Sequence, residues 1–328
     1  MPTNCCDMQR IDTGVGLITP WGTLIPPGGK IAAFVRSTGP QNGDDPGLAA
    51  NLYPTITQAL DKCRPNQPDV VYCLPGHTET HTVASMALLN AAILARPYAR
   101  IVGGGETLGG LQPNIIWAAN VADVGNRLNL AAAGTVIQGM HLSMNGVNTL
   151  VEGIRVTGAN VSLLDNNIEF TGPAAALHTL IILTLGAAAT ANDLTISRNR
   201  VHGTLAGDAL TDGFLIDGAV RNLKITDNIM YGPSAVATGL IDVTAAALHV
   251  YIARNHILNS TAISTVCINC TAVASTGIVC DNYLGTINNG VATAQGLTMA
   301  GGCLWRCFRN WSCDEPALND MLSPIACT

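Results

Sequence analysis

The sequence is poor in charge and in aromatic residues. Charged residues make up 12% of its 328 positions and aromatic residues 4%, whereas 48% are hydrophobic. The hydrophobic share therefore comes from Ala, Val, Leu and Ile, which suits a large aliphatic core. A surface with so few charges is either covered by another subunit or built from Thr, Ser and Asn, in which this chain is rich.

Basic residues and long apolar runs are also scarce. Only three lysines occur, no run of Lys or Arg is present, and the formal net charge is −6. This composition excludes the basic groove of a nucleic-acid-binding protein. The most apolar run, at 180–186, is too short to cross a bilayer, and the first ten residues lack the apolar core of a secretory signal. We therefore expect a protein made in the cytoplasm, without nucleic acid or membrane as a partner.

The 11 cysteines are unusual for that compartment. Two pairs have spacings that loosely suggest a zinc site, Cys267/Cys270 and Cys303/Cys307, but no second pair follows at the spacing of a zinc ribbon. Cysteine is also a small apolar core residue, and we expect most of these thiols to be buried, with no metal bound. The Cys5/Cys6 pair near the N-terminus is the candidate for crosslinks between chains.

The middle of the chain repeats one frame, h-x-h-x-x-N-x-h, where h is apolar. The repeated residues are Asn166, Asn199, Asn228, Asn255 and Asn282, separated by 33, 29, 27 and 27 residues. Apolar residues two apart point to one side of a strand. We interpret the asparagine as a corner residue, because Asn tolerates the left-handed backbone of a tight turn. A weaker sixth copy places Gly139 27 residues before the first of these asparagines.

Further strand candidates lie between the repeats, at 179–184, 213–217, 239–243 and 265–269. Each period thus contains two or three short strands joined by turns, which is one coil of a parallel β-helix. The free energy that a single coil gains by burying its aliphatic side chains is smaller than the entropic cost of ordering the coil. The coils must therefore stack. Equivalent asparagines would then lie about 4.8 Å apart and form a ladder of amides. A leucine-rich solenoid or βαβ units are the alternatives, and both require helices between the strands.

The residue before each ladder asparagine alternates between an acid and an arginine, in the order Asp165, Arg198, Asp227, Arg254 and Asp281. Stacked coils would turn this order into a charge ladder that stabilises the stack modestly and neutralises each acid.

Few residues remain for catalysis. The residual acids of the repeat region are Asp212, Asp217 and Asp242, and glycoside hydrolysis requires a pair of carboxyl groups. We predict that the protein is not an enzyme and needs no cofactor.

The segment 75–81 reads PGHTETH and follows a predicted strand. If it is extended, His77, Glu79 and His81 share one face. We expect these side chains to line the outside of a coil, solvated or hydrogen-bonded. A metal site, particularly one shared between subunits, and acid/base chemistry are the alternatives.

Both ends differ from the repeat region, which we place at 31–300. Residues 1–30 form an apolar arm interrupted by Pro and Gly, in which Trp21 is a candidate partner contact. A helix at about 51–63, capped by Thr55, is predicted to close the first coil. Residues 301–328 form an irregular tail, whose Trp305 and Trp311 either cap the last coil or contact a partner.

Three segments, 45–63, 69–80 and 100–105, resemble the opening of the pectate-lyase-like right-handed β-helix proteins encoded by tailed bacteriophages. The repeats that end in Asp-Asn or Arg-Asn, and the segment 306–314, extend this resemblance over most of the chain. The resemblance implies an all-β protein with a single-stranded, right-handed parallel β-helix, and a viral origin. The catalytic patterns of the lyases and galacturonases in that superfamily are not matched.

Proteins of such families are trimeric cement or decoration proteins of the capsid, or tailspikes that bind or cut host glycans. We therefore expect a structural virion protein: a homotrimeric capsid cement or decoration protein with the major capsid protein as its partner. The alternative is a tailspike or fibre that binds or depolymerises host surface polysaccharide. It predicts an aromatic-lined groove with exposed carboxylates, and the scarcity of aromatic residues counts against it.

Overall fold

The computed structural model describes a large part of the chain. The described residues are 17–18, 24–39, 49–104, 112–118, 127–144, 152–170, 181–185, 191–203, 212–232, 239–259, 266–272, 274–286, 296–299, 304–314 and 323–324. The predicted contact Trp21, the Cys5/Cys6 pair and most of the N-terminal arm lie outside them.

The strands of the N-terminal half are β1 (Leu17–Ile18), β2 (Leu24–Ile25), β3 (Ile31–Val35), β4 (Leu52–Tyr53), β5 (Val70–Cys73), β6 (Thr78–His81), β7 (Arg100–Gly103), β8 (Asn114–Trp117), β9 (Leu128–Leu130), β10 (Val136–Gln138), β11 (His141–Ser143), β12 (Glu152–Val156), β13 (Ser162–Leu164) and β14 (Asn167–Phe170). The strands that follow are β15 (Ile181–Leu185), β16 (Thr195–Ser197), β17 (Arg200–Gly203), β18 (Asp212–Ile216), β19 (Lys224–Thr226), β20 (Ile229–Gly232), β21 (Ile241–Val243), β22 (Val250–Ala253), β23 (His256–Asn259), β24 (Ile268–Cys270), β25 (Thr276–Cys280), β26 (Tyr283–Thr286), β27 (Leu297–Met299), β28 (Leu304–Phe308), β29 (Trp311–Asp314) and β30 (Ser323–Pro324). Two helices are described, α1 (Ile56–Leu60) and α2 (Val83–Leu94).

Three long sheets form the walls of a solenoid. Sheet 1 contains β4, β3, β5, β7, β10, β13, β16, β19, β22, β25 and β28 in spatial order; sheet 2 contains β6, β8, β11, β14, β17, β20, β23, β26, β29 and β30; sheet 3 contains β9, β12, β15, β18, β21, β24 and β27. From β9 to β29 the chain visits the three sheets in turn, and each strand pairs in parallel with its equivalent in the next coil. This topology confirms the predicted parallel β-helix; its right-handedness stays a prediction.

The interior is filled by aliphatic columns that run along the axis. One column in sheet 1 and one in sheet 2 consist of buried residues in register: Ile137, Leu163, Ile196, Ile225, Ile252 and Val279, and Leu142, Ile168, Val201, Met230, Ile257 and Leu284. In the repeats that contain a ladder asparagine, these residues are the second and the last h position of the frame, five positions apart, so the periodicity predicted these core columns correctly. Both described helices lie before the repeats, and the described parts of the repeats are strands and corners, unlike a leucine-rich or βαβ solenoid.

The corners contain left-handed residues, but the five ladder asparagines are not among them. Positive φ values between 52° and 59° occur one position earlier, at Asp165, Arg198, Asp227, Arg254, Asp281 and Arg309. The interpretation of Asn as the left-handed corner residue is therefore wrong. A positive φ costs a non-glycine residue about 1–2 kcal/mol, and the coil geometry imposes it on the charged residue that precedes the ladder.

The first copy of the repeat is offset by one residue from the predicted alignment. Gln138 pairs with Leu164, which places Gly139 beside Asp165 and Met140 beside Asn166. Gly139 has a φ of 68° and so supplies the left-handed corner of this coil.

The cap of the solenoid differs from the predicted helix at 51–63. Helix α1 has only five residues and begins after Thr55, whose side chain accepts a hydrogen bond from Gln58 N as predicted. The longer helix α2 was not predicted, and it packs against β9, the edge strand of sheet 3. The Asn90 side chain donates to Arg127 O and accepts from Asn129 N, both at 2.8 Å. Its amide thus makes the hydrogen bonds that a neighbouring strand would otherwise make to this edge.

The solenoid extends beyond residue 300. Strand β28 pairs in parallel with β25, and β29 pairs in parallel with β26, so residues 304–314 continue the coils where an irregular tail was expected. At the other end, β1 and β2 form a short antiparallel pair. Within the described ranges, neither helix is long and apolar enough to cross a membrane.

Candidate functional site

The repeated asparagines form a continuous hydrogen-bonded ladder inside the solenoid. Each Nδ2 donates to Oδ1 of the asparagine in the next coil, at 3.0, 3.0, 2.9 and 3.0 Å from Asn166 to Asn282. Each Nδ2 also donates to a carbonyl of the preceding coil, as from Asn228 to Ile196 O at 3.0 Å. The Oδ1 atom additionally accepts the backbone N–H of the preceding ladder asparagine. Every amide atom of an inner rung is therefore satisfied in the buried interior.

A further rung, Asn310, was missed by the sequence analysis. Asn282 Nδ2 donates to Asn310 Oδ1 at 2.9 Å, 28 residues along the chain. The segment from Trp305 to Asn310 fits the repeat frame when Cys307 is read as apolar, so the signal was present. At the other end, Met140 N donates to Asn166 Oδ1, so the ladder begins one coil after the first repeat.

The corner charges form bidentate ion pairs between successive coils. Arg198 binds Asp165, Arg254 binds Asp227, and Arg309 binds Asp281, with N–O distances from 2.6 to 3.0 Å. The arginine hydrogen bonds hold the pKa of Asp227 and of Asp281 below the usual range. The predicted charge ladder is thus a series of separate pairs, and Asp227 and Asp281 are not available as proton donors near neutral pH.

The histidines and the glutamate of the PGHTETH segment lie together, as predicted for an extended strand, but they point inward. His77, Glu79 and His81 are all buried. His77 Nε2 lies 2.9 Å from Glu79 Oε1, which also accepts the N–H of Ile56 at the start of α1. His81 Nε2 lies 3.1 Å from Glu79 Oε2 without the alignment of a hydrogen bond. The expectation that these three side chains line the outside of a coil is wrong, because β6 turns Glu79 towards α1, where it accepts the Ile56 N–H. The hydrogen bond between His77 and Glu79 agrees with the other part of that expectation.

The cluster of His77, Glu79 and His81 is suited to a structural role. We call it an anchor, because Glu79 links β6 to the start of α1. Burial alone would raise the pKa of Glu79, but the contacts with His77 and His81 and the Ile56 N–H outweigh it and lower the pKa from 4.5 to about 2. A carboxylate that is ionised under all ordinary conditions is a poor proton donor. Among the described residues, no group of three or more His, Cys, Asp or Glu side chains has a metal-binding arrangement.

Two of the three residual acids come together, as paired carboxyls do in hydrolases. Asp212 and Asp242 are buried and hydrogen-bonded to each other, and Asn269 Nδ2 donates to Asp242 Oδ1 at 3.0 Å. Burial raises the pKa of Asp242, although the hydrogen bonds oppose the shift. Since almost none of either side chain reaches solvent, this pair has no access to a polymeric substrate. Asp217 is exposed at the end of β18.

The outer face of sheet 2 carries an apolar and aromatic surface near its C-terminal end. Ile229, His256, Tyr283 and Trp311 follow one another in register along one column. Tyr231, Leu258 and Gly285 form the next column. The columns line a groove of about 300 Å³. We call these seven residues the aromatic face; none of them carries a permanent charge.

Exposure sets the aromatic face apart from an ordinary protein surface. Ile229 is 56% exposed, and Tyr231 and Tyr283 are each 42% exposed. The rings of His256 and Tyr283 lie 4.8 Å apart between centroids, so adjacent coils hold them in contact. This surface was not predicted, although the position after each ladder asparagine indicates it, since that position holds Ile229, His256, Tyr283 and Trp311 in four successive coils.

A polar cluster adjoins the aromatic face on the same side of sheet 2. Glu169 Oε2 lies 3.0 Å from His141 Nε2, and His202 is the neighbour of Glu169 in the next coil. Burial lowers the pKa of His202, although Glu169 opposes the shift. His202 in turn pairs with Tyr231 of the aromatic face.

The two described tryptophan candidates have different surroundings. Trp305 is half-buried and packs against the core from β28, and its role as a cap or as a partner contact stays a prediction. Trp311 belongs to the aromatic face beside Tyr283.

Among the cysteines whose side chains the structure describes, all but one follow the expectation of buried thiols. Cys63, Cys73, Cys267, Cys270 and Cys280 are buried and form no disulfide. Cys307 is disulfide-bonded. Neither member of the Cys267/Cys270 pair therefore belongs to a described metal-binding cluster, and a disulfide excludes Cys307 as a zinc ligand.

Comparison of the chain with protein-family models, with curated proteins and with solved structures gives no match.

Replacing a central rung should destabilise the solenoid. Asn228→Leu removes four hydrogen bonds. The buried amide of Asn199 and the carbonyl of Ile196 each lose the partner that Asn228 provides. We expect the free energy of unfolding to fall by roughly 1–3 kcal/mol, measured by denaturant unfolding. Lys224→Leu, on the exposed face of the same coil, is the control and should change stability by less than about 0.5 kcal/mol. Equal stability of both variants would contradict a role for the ladder.

Acid should weaken the anchor at Glu79. Its folded pKa of about 2 lies below the ordinary 4.5, so the unfolded chain binds the proton first as the pH falls. The stabilisation is complete above pH 4.5 and is lost towards pH 2, by about 3 kcal/mol at most. Melting curves across this range should show a steeper loss for the wild type than for Glu79→Gln. The exposed Asp193→Asn variant should keep the wild-type slope, and a wild-type slope in Glu79→Gln would refute the assignment.

Proposed function

We propose that the protein is a structural component of a virus particle, a homotrimeric cement or decoration protein that binds the major capsid protein and stabilises the head of a tailed bacteriophage. The observation that carries the proposal is the aromatic face, a rigid and uncharged surface on an otherwise polar sheet. An exposed apolar patch of this kind is typical of protein–protein contact sites.

The solenoid supports a binding role because its surface geometry is fixed in advance. Parallel strand pairs, the asparagine ladder and the Asp–Arg pairs link each coil to the next. A partner that binds such a surface does not have to order it first, which reduces the entropic cost of association. The viral location itself is supported by the resemblance of the N-terminal segments and the repeats to phage-encoded β-helix proteins.

The disposition of charge supports a structural role over catalysis. The corner acids are held by arginines, the acid of the PGHTETH segment is held by its histidines, and the Asp212/Asp242 pair is sealed from solvent. Glycoside hydrolysis requires two carboxyl groups that reach the substrate. The described residues contain no such exposed pair next to the aromatic face, where Glu169 is the one carboxylate.

A second candidate function is binding of a host surface polysaccharide by a tailspike or fibre. The aromatic face favours it, because the apolar faces of sugar rings pack on aromatic rings such as Tyr231 and Tyr283. The neighbouring Glu169, His141 and Arg200 would supply hydrogen-bonding groups for sugar hydroxyls. This candidate function requires binding of the polysaccharide and no cleavage of it.

The cement role predicts the abundance of the protein in the particle and its effect on the head. Its copy number, from quantitative mass spectrometry of purified particles, should be comparable to that of the major capsid protein. Particles produced without it should release their DNA at a lower temperature, and adding the purified protein should restore resistance. Ile229→Asp, in the aromatic face, should fail to restore it, whereas Lys224→Ser, on sheet 1, should succeed. A copy number typical of tail proteins, or heads of unchanged resistance, would refute the cement role.

The polysaccharide role predicts a different outcome. Immobilised host polysaccharide should bind the wild-type protein, and Tyr231→Ala and Tyr283→Ala should each weaken binding by roughly tenfold, which corresponds to about 1.4 kcal/mol. The exposed Leu304→Ala variant, on sheet 1, should bind like the wild type. Absence of binding would eliminate this candidate, and shortened glycans after incubation would establish an enzyme in place of a structural protein.

A further inference from the structure

Helix α2 has an exposed face that the fold leaves uncovered. The helix contains no charged residue from Val83 to Leu94, and its buried residues are Met86, Leu89 and Ile93. The opposite face consists of exposed apolar residues only: Ala84, Ala87, Leu88, Ala91, Leu94 and Ala95, the last being the C-cap. We call these six residues the α2 stripe. Their spacing of three or four positions places them on one side of the helix.

The two leucines of the α2 stripe are not ordinary surface residues. Leu88 is 64% exposed and Leu94 is 57% exposed. A surface helix normally carries polar or charged residues on its outer face, and a helix that is apolar on all sides is normally buried. The stripe therefore has the composition of a covered surface.

The stripe is presented on a rigid element. Thr82 and Ser85 form a reciprocal capping box at the start of α2, and Asn90 is hydrogen-bonded to the edge of sheet 3. The buried side of the helix packs against α1 and β9. A surface held in this way loses little conformational entropy when a partner binds it.

The charge and the side-chain sizes of the stripe favour another copy of the same chain as the partner. A face without charge meets its own copy without like-charge repulsion and without burying an unpaired charge. Four alanines let identical helices approach closely, while Leu88 and Leu94 fill the space between them. Directly after the stripe, Arg96 lies 3.9 Å from the exposed Asp61, so every copy carries this pair of opposite charges beside the stripe.

A groove beside the stripe enlarges this surface. It has a volume of about 510 Å³, and Leu88 belongs both to its lining and to the stripe. Its exposed lining is uncharged and includes Pro54, Gln58, Thr78 and Thr80. A stripe about 18 Å long is smaller than a typical interface of about 800 Å² per partner. The groove supplies the additional area.

We propose that the α2 stripe and the adjoining groove form the surface through which copies of this chain bind one another. The inference deepens the homotrimer of the proposed function and rests on it. It leaves the aromatic face, on another part of the solenoid, free for the capsid or for a glycan.

The experiment measures the mass of the purified full-length protein by light scattering. The wild type should have three times the chain mass of 34.0 kDa, and Leu88→Glu and Leu94→Glu should each have the mass of a single chain at the same concentration. Ala91→Glu changes a third position of the stripe and should act in the same way. Because all three side chains are exposed, circular dichroism should show the wild-type β-sheet spectrum in each variant.

Leu304→Glu is the matched control, since Leu304 is 74% exposed but lies on β28 of sheet 1. This variant should remain a trimer. A trimeric wild type whose stripe variants are also trimeric would overturn the inference while leaving the homotrimer in place. A wild type that is monomeric in solution would overturn both the inference and the homotrimer, whatever the capsid experiment shows. Loss of the trimer in Leu304→Glu as well would show that any added charge disrupts it, and would also overturn the specific role of the stripe.

Discussion

The satisfaction of buried amides between coils is the constraint on which the rest of the structure depends. The side chain of a central ladder asparagine such as Asn228 makes its hydrogen bonds to the neighbouring coils, and an unsatisfied buried amide costs about 1–3 kcal/mol. The partner comes from the coil above and the carbonyl from the coil below, as the bonds of Asn228 to Asn255 and to Ile196 illustrate. Each coil is therefore stable only in register with its neighbours. Register in turn aligns the aliphatic columns inside and every outer column, including the aromatic face.

The same stacking determines what chemistry the surface can perform. Residues before the ladder meet at one corner, where the acid of one coil and the arginine of another form a pair, as in Asp227 and Arg254. Such pairs stabilise the corners modestly and neutralise the charge of these carboxylates. The described surface then has few free charges, and its distinctive features are two uncharged surfaces, the aromatic face and the α2 stripe. Recognition through apolar contact is the function that such a molecule supports best.

The correct predictions came from the periodicity of the sequence, and each error has its own cause. Helix α2 was missed because it is apolar on all sides, so a reading based on one apolar stripe finds no period in it. The left-handed corner was assigned to Asn from its general tolerance of that backbone, although the coil places the positive φ one residue earlier, at Asp or Arg. Asn310 was missed because Cys307 occupies an apolar position of the frame. The inward orientation of Glu79 depends on α1, a contact between segments 23 residues apart.

The sequence by itself determined the coil. The spacing of apolar residues and asparagines follows from the rise of a strand and the length of a turn, which are local properties, and it predicted the parallel β-helix, its inner columns and its ladder residues. Only the tertiary structure decided which side chains are sealed and which are exposed. It buried Glu79 and the Asp212/Asp242 pair, and it left Tyr283 and Leu88 uncovered. The physical reason is that burial depends on what neighbouring coils and caps place over a residue, and residues 23 or more positions apart in the sequence supply that cover.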